Sequence, residues 1–353
     1  MDTKIREDSL EVSLDRKKAR AAMCKASLLL FAFALFSSAL GVFMTYVGFS
    51  FTDEVQDILV KIICFFGVSG QMAVAAARMF VTSPAVNAFM NMITVLVTIV
   101  LPAFIFSKAA NVNSKNGFGM KGKASKAVIP VFCVTQLLCS AVIVFSSGIS
   151  QFLLPDADYS AQSVVGANSQ FDVFGLIMQI ICICIVVPLA EEYAFRGVVF
   201  GYLKRYGLSF GIVASAFVFG ISHSSPTQSV YAFMFGIVAG IVTCLTGNLK
   251  TAVVLHFLNN LTIVLQENMR LLLDEKIENI IYCVFMLFVF GFSFYGLYRI
   301  VKKDGLQDMY NSVKEQNDRA LSYVPTAKDI FVFPVVVYVL IYALSFLADV
   351  QGW

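Results

Sequence analysis

Histidine is nearly absent: two occur in 353 residues, beside a single tryptophan. Charge is scarce as well, with Asp, Glu, Lys and Arg making up 14% of the chain against roughly 25% in soluble domains. That shortage excludes an ordinary water-soluble globule. The formal net charge of +3 is small, and no nucleic-acid partner is expected. No CxxC pair with zinc-site spacing occurs, no HExxH, and no serine or cysteine in a nucleophile motif. The eight cysteines, Cys24, Cys64, Cys133, Cys139, Cys182, Cys184, Cys244 and Cys283, lie in or beside apolar runs and form no dense extracellular framework. Cys182 and Cys184 are two apart, which turns them about 200° from each other on a helix. They do not converge on a metal and are expected to be buried apolar thiols. Internal repeats and low-complexity tracts are missing too.

What the chain has is apolar length. Apolar residues account for 58% of it, including 34 Phe. Candidate spans run over about 26–51, 58–80, 87–107, 127–149, 173–203, 209–223, 228–246, 250–266, 280–299 and 329–348. About 20 such residues cross a hydrocarbon layer of roughly 30 Å. The expected fold is all-α: a polytopic transmembrane bundle of eight to ten helices. Residues 209–223 are short for a crossing and suit a position shielded inside the bundle. Residues 173–203 are long, and Pro188 is placed to bend them one turn before a pair of glutamates.

The charges that exist mark the loops. A basic arm, 1–25, holds Lys4, Arg6, Arg16, Lys17, Lys18, Arg20 and Lys25 and lacks the apolar core and small-residue cleavage site of a removable signal. The run after it is expected to be a retained helix entered from the cytoplasm, in a multi-pass protein of the cell membrane. Lys108, Lys115, Lys121, Lys123 and Lys126 crowd the next basic linker, and Lys204 and Arg205 close the glutamate helix. From residue 108 onward basic and acidic loops alternate as the positive-inside rule requires. Before it, three runs separate two basic segments, so one run is interfacial or re-entrant. Residues 58–80, with Lys61, Gln71 and Arg78, are the weakest span. The expected organisation is the arm 1–25, N-terminal membrane helices 26–149, a core 173–266, and C-terminal membrane helices 280–348 interrupted by a polar linker, 303–328.

Against that apolar background four ionisable groups stand out: Glu191, Glu192, His223 and His256. A charge in hydrocarbon costs several kcal/mol unless it is paired or lines a polar cavity, so these groups are expected to share one buried polar site. Glu192 and Arg196 are four apart and share a helix face, a favourable pair. Glu191 is turned about 100° from Glu192 and is free to face the bundle interior. Phe219 stands one turn before His223, where it can wall the site. His256 and Asn260 are likewise four apart, and Asn259 lies about 100° off their face. A carboxylate and an imidazole can deprotonate water for attack on a carbonyl. A second imidazole and an amide can donate to the oxyanion that forms. Glu191, His223 and His256 could instead hold Zn²⁺ with one open position, and spacing does not separate the two modes.

The three motifs EEYAFR (191–196), FGISH (219–223) and HFLNN (256–260) resemble EExxxR, FxxxH and HxxxN of the CPBP family of membrane proteases, also called Abi proteins. That family includes CAAX prenyl proteases and proteins linked to bacteriocin self-immunity. Pro188, Gly197 and TGNL (246–249) flank the motifs as they do in the family, and the likeness covers about 175–265. The resemblance implies an intramembrane endopeptidase that hydrolyses a peptide bond near the membrane face. Glu191 and His223 would activate water, and His256 and Asn260 would stabilise the oxyanion. Glu192, Arg196 and Phe219 would support the site. It implies a peptide or membrane-protein substrate, a lipid surrounding, and either no required metal or zinc. Two other functions use the same residues: a non-catalytic immunity or scaffold protein of this fold, and a proton-coupled transporter. A transporter would more often show two related halves, whereas the polar motifs here cluster in one half.

Overall fold

The computed structural model describes residues 15–29, 31–33, 35, 56–81, 83–112, 128–153, 171–223, 226–247, 249–302, 327–332 and 334–340. Among these residues the chain is predominantly helical and contains no sheet. The helices are α1 (15–29), α2 (56–65), α3 (Gly70–Val81), α4 (Pro84–Ala109), α5 (Val128–Leu153), α6 (Val173–Tyr206), α7 (Leu208–Ile221), α8 (Pro226–Thr246), α9 (Lys250–Leu272), α10 (Glu275–Lys302) and α11 (334–340). Among the described residues four stretches are long and apolar enough to cross a membrane: Pro84–Ala109, Val173–Tyr206, Gln228–Thr246 and Glu275–Tyr295. The protein is a polytopic, all-α membrane protein. Most of the expected first span, the end of the expected last span, the basic linker after residue 112 and most of the polar linker 303–328 lie outside the described residues.

One expected run is not continuous. Residues 58–80 divide into α2 and α3 at a turn where Gly67 has φ +85° and its N–H donates to Cys64 O at 2.9 Å. That left-handed backbone is one that glycine adopts without strain. The run that carries Lys61, Gln71 and Arg78 is therefore two short helices.

Helix starts follow from the sequence. Ser83 Oγ accepts from Val86 N at 3.3 Å, with Pro84 in the first turn of α4, where a missing N–H costs nothing. Asp172 caps α6, accepting from Phe174 N at 3.1 Å and Gly175 N at 2.7 Å. Between α6 and α7 stands Gly207, with φ +131°.

The site-bearing helices α6 to α9 form the interior of the bundle. Burial does not drive association among helices already in lipid, so close packing and polar contacts must do so. Small residues Ala214, Ala216, Ala232 and Ala239 are fully or almost fully buried. At Gly220 an added Cβ would come within 2.8 Å of Ser229 O on α8, which shows how closely α7 and α8 approach. Phe195, Phe200, Phe219 and Phe235 fill this interior, with the rings of Phe195 and Phe219 edge to face at 4.9 Å. On α10, by contrast, Leu287, Phe288, Phe290 and Phe294 face outward, as suits a lipid-facing helix.

α6 is not a regular helix. The segments Ile180–Val186 and Tyr193–Phe200 are wound in the wider π form, on either side of the α-helical turn Val187–Glu192. Such expansions are uncommon and occur mostly at functional sites. Here they bracket Pro188 and the two glutamates.

Candidate active site

Glu191 and Glu192 lie on the regular turn of α6, and His256 comes toward them from α9. His256 Nδ1 is 3.0 Å from Glu192 Oε1, and its Nε2 is 3.6 Å from Glu191 Oε2. The adjacent glutamates thus meet opposite nitrogens of one imidazole. Glu192 is fully buried, whereas the Glu191 side chain retains 12% exposure, so Glu191 is the carboxylate with access to an incoming molecule.

Arg196 contacts Glu192 Oε1 at 3.1 Å, and both side chains are within 1% of full burial. The approach is that of an ion pair and is not aligned as a hydrogen bond. Among the described residues Arg196 Nη1 and Nη2 and Glu192 Oε2 have no hydrogen-bond partner. The guanidinium instead lies over aromatic faces, 4.4 Å from the Phe219 ring centroid and 6.0 Å from that of Phe235. The negative face of each ring offers a desolvated cation a compensating attraction.

His223 follows the last turn of α7. Its Nδ1 is 2.9 Å from Phe219 O, and a carbonyl can only accept. Nδ1 therefore carries a proton, and in the neutral ring Nε2 is an unprotonated acceptor. Phe219 joins the two histidines: its ring is edge-on to His223 at 4.9 Å and to His256 at 6.0 Å. Glu191 and His256 both lie within electrostatic range of His223. The Phe235 ring also packs against His256, at 4.9 Å.

Asn260 Nδ2 donates to Ile183 O on α6 at 2.9 Å. Its neighbour Asn259, off the motif face, is the more buried of the two. Asn259 Oδ1 accepts from Gln136 Nε2 at 2.9 Å and from the Tyr231 hydroxyl, and its Nδ2 reaches Asn260 Oδ1 at 3.4 Å. The sequence reading placed Asn259 off the motif face and did not single out Gln136 or Tyr231. The available signal was an amide or phenol within each of three apolar segments, since buried polar atoms seek partners.

In the zinc alternative Glu191, His223 and His256 would be the ligands. Among the described residues no three His, Cys, Asp or Glu side chains are grouped to hold a metal ion. His256 Nδ1 is engaged by Glu192 and His223 Nδ1 by a carbonyl, contacts that leave Nε2 as the outward nitrogen of each ring and are equally those that orient metal-bound imidazoles. Cys182 and Cys184 are buried apolar thiols.

The fold and site define a membrane-embedded helical protein with a buried glutamate–histidine–arginine network. Residues 173–262 match the family described as type II CAAX prenyl endopeptidase Rce1-like. The matched stretch is about a quarter of the chain and contains all three motifs. No curated protein and no solved structure matches the chain.

Proposed function

We propose that the protein is an intramembrane endopeptidase that hydrolyses a peptide bond near the membrane face with a Glu/His-activated water. The observation that carries this reading is the contact between His223 Nδ1 and Phe219 O, 2.9 Å. It leaves Nε2 as the basic nitrogen of a partly exposed ring, within electrostatic range of the more accessible of the two glutamates. Glu191 and His223 take a proton from water as its oxygen bonds to the carbonyl carbon. The carbonyl π electrons move to oxygen. His256, carrying both ring protons, donates from Nε2 to that oxyanion, with Asn260 as a further donor. Collapse restores the carbonyl and breaks the C–N bond. The proton held by the Glu191–His223 pair passes to the leaving amine.

Glu192 holds His256 Nδ1 and pairs with Arg196, so it orients the ring and remains out of the proton transfers. No step is routed through a metal. The substrate is a membrane-associated peptide or protein, presented in lipid. The chain lies in the cell membrane with its basic arm in the cytoplasm.

Membrane peptides and protein termini are compared between cells carrying the wild type and cells carrying Glu191→Ala. A terminus present with the wild type and missing with the variant is expected and names the substrate. Identical termini, with full complementation by a folded variant, would make this a scaffold or immunity protein.

A further inference from the structure

Val187 donates its main-chain N–H to Cys182 O, five residues back. In that register the next residue would donate to Ile183 O. The next residue is Pro188, which has no N–H to give. The wide turn and the proline together leave a carbonyl without its helical donor, in a residue buried within the bundle. A buried acceptor must find a partner elsewhere, and this one finds it on another helix: Asn260 Nδ2 donates to Ile183 O at 2.9 Å.

We propose that Pro188 and Asn260 form one positioning device, in which the proline reserves the Ile183 carbonyl as a fixed acceptor for the Asn260 carboxamide. One amide N–H is held by Ile183. The amide oxygen faces Asn259 Nδ2 at 3.4 Å, and Asn259 is itself held by Gln136 and Tyr231. The carboxamide cannot reverse without setting its oxygen against the Ile183 oxygen. Its second N–H is thereby set in direction by groups on α5, α6 and α8. Pro188 acts through Asn260 and is a positioning residue. That the orientation serves an oxyanion rests on the peptidase reading.

The test uses the full-length protein in detergent, labelled with ¹⁵N-asparagine. The Asn260 side-chain signals are assigned by their loss in Asn260→Ala. In the wild type one amide proton is expected to be shifted downfield and slow to exchange. In Pro188→Ala residue 188 supplies the missing N–H, so the two amide protons converge and exchange at least about tenfold faster. Pro188→Gly carries the same N–H and serves if the alanine variant fails to insert.

The second measurement is a double-mutant cycle on unfolding in detergent. Asn260→Ala strands the Ile183 carbonyl only where residue 188 is proline. Its effect on the unfolding equilibrium is expected to be about tenfold larger in the wild type than in Pro188→Ala. Both results are required. Unchanged amide signals in Pro188→Ala, or substitution effects that simply multiply, would each overturn the proposal. Neither measurement uses a substrate, so their failure is separable from failure of the terminus comparison.

Discussion

Gly236 on α8 is the residue against which the Arg196 guanidinium fits. A Cβ at position 236 would stand 3.2 Å from Arg196 Nη2 and 3.0 Å from the Cα of Ala216. The absent side chain therefore does two things. It lets α7 and α8 approach closely, and it leaves space for a buried cation between Phe219 and Phe235.

Gly236→Ala is expected to destabilise the protein by about 1–3 kcal/mol, the usual cost of overpacking. The Ala216 backbone cannot move aside as a flexible side chain could. Thermal unfolding in detergent measures it, and an unchanged midpoint would show that the space is not needed.

Arg196→Met removes the cation and leaves the buried Glu192 with His256 alone. Breaking a buried pair from one side costs about 3–5 kcal/mol. The double variant Arg196→Met, Glu192→Gln is expected to recover part of that loss in unfolding. It does not recover cleavage, because Glu192 also holds His256 Nδ1 at 3.0 Å.

His223→Ala is expected to lower cleavage by about a hundredfold to ten-thousandfold, the range for loss of a general base. The ring is partly exposed at the end of α7, so unfolding should change little. Abundance of the product terminus, read beside the unfolding midpoint, separates loss of chemistry from loss of fold. Full activity in this variant would remove His223 from the mechanism.

Tyr231→Phe and Gln136→Leu each remove one donor to Asn259 Oδ1. Each is expected to cost about 1 kcal/mol. The pair together should cost more than the sum, because the acceptor is then left with neither. Strict additivity in a double-mutant cycle would show that the two donors act independently.

Incubation of active purified protein with a strong chelator is expected to leave cleavage unchanged. The proposed water activation uses Glu191 and His223 without a metal, and among the described residues no three His, Cys, Asp or Glu side chains are grouped to hold one. Metal-dependent loss and recovery of activity would replace that mechanism with a zinc one.

Much of this architecture is legible in the linear chain because hydrocarbon is a severe solvent. A charge there needs a reason, so Glu191, Glu192, Arg196, His223 and His256 announce themselves against a 58% apolar background. The four-residue spacing of Glu192 and Arg196 implies a contact, and they meet at 3.1 Å. Helix boundaries near Ser83, Asp172 and Gly207 are likewise local, set by capping oxygens and a positive φ. The division of residues 58–80 was foreshadowed by internal charge, but the turn at Gly67 was not identified.

Composition and spacing established a helical membrane protein, the motif residues and the Glu192–Arg196 pairing, because these depend on solvent cost and helix period. Three matters depended on how helices distant in sequence approach one another. His256 meets both glutamates, a contact between α9 and α6 that no spacing encodes. Asn259, set aside because it faces away from the motif, became the centre of a polar cluster once α5 and α8 packed around it. The π-wound turns of α6 depart from 100° per residue, so the helical wheel could not foretell that Pro188 would leave the Ile183 carbonyl for Asn260 to claim.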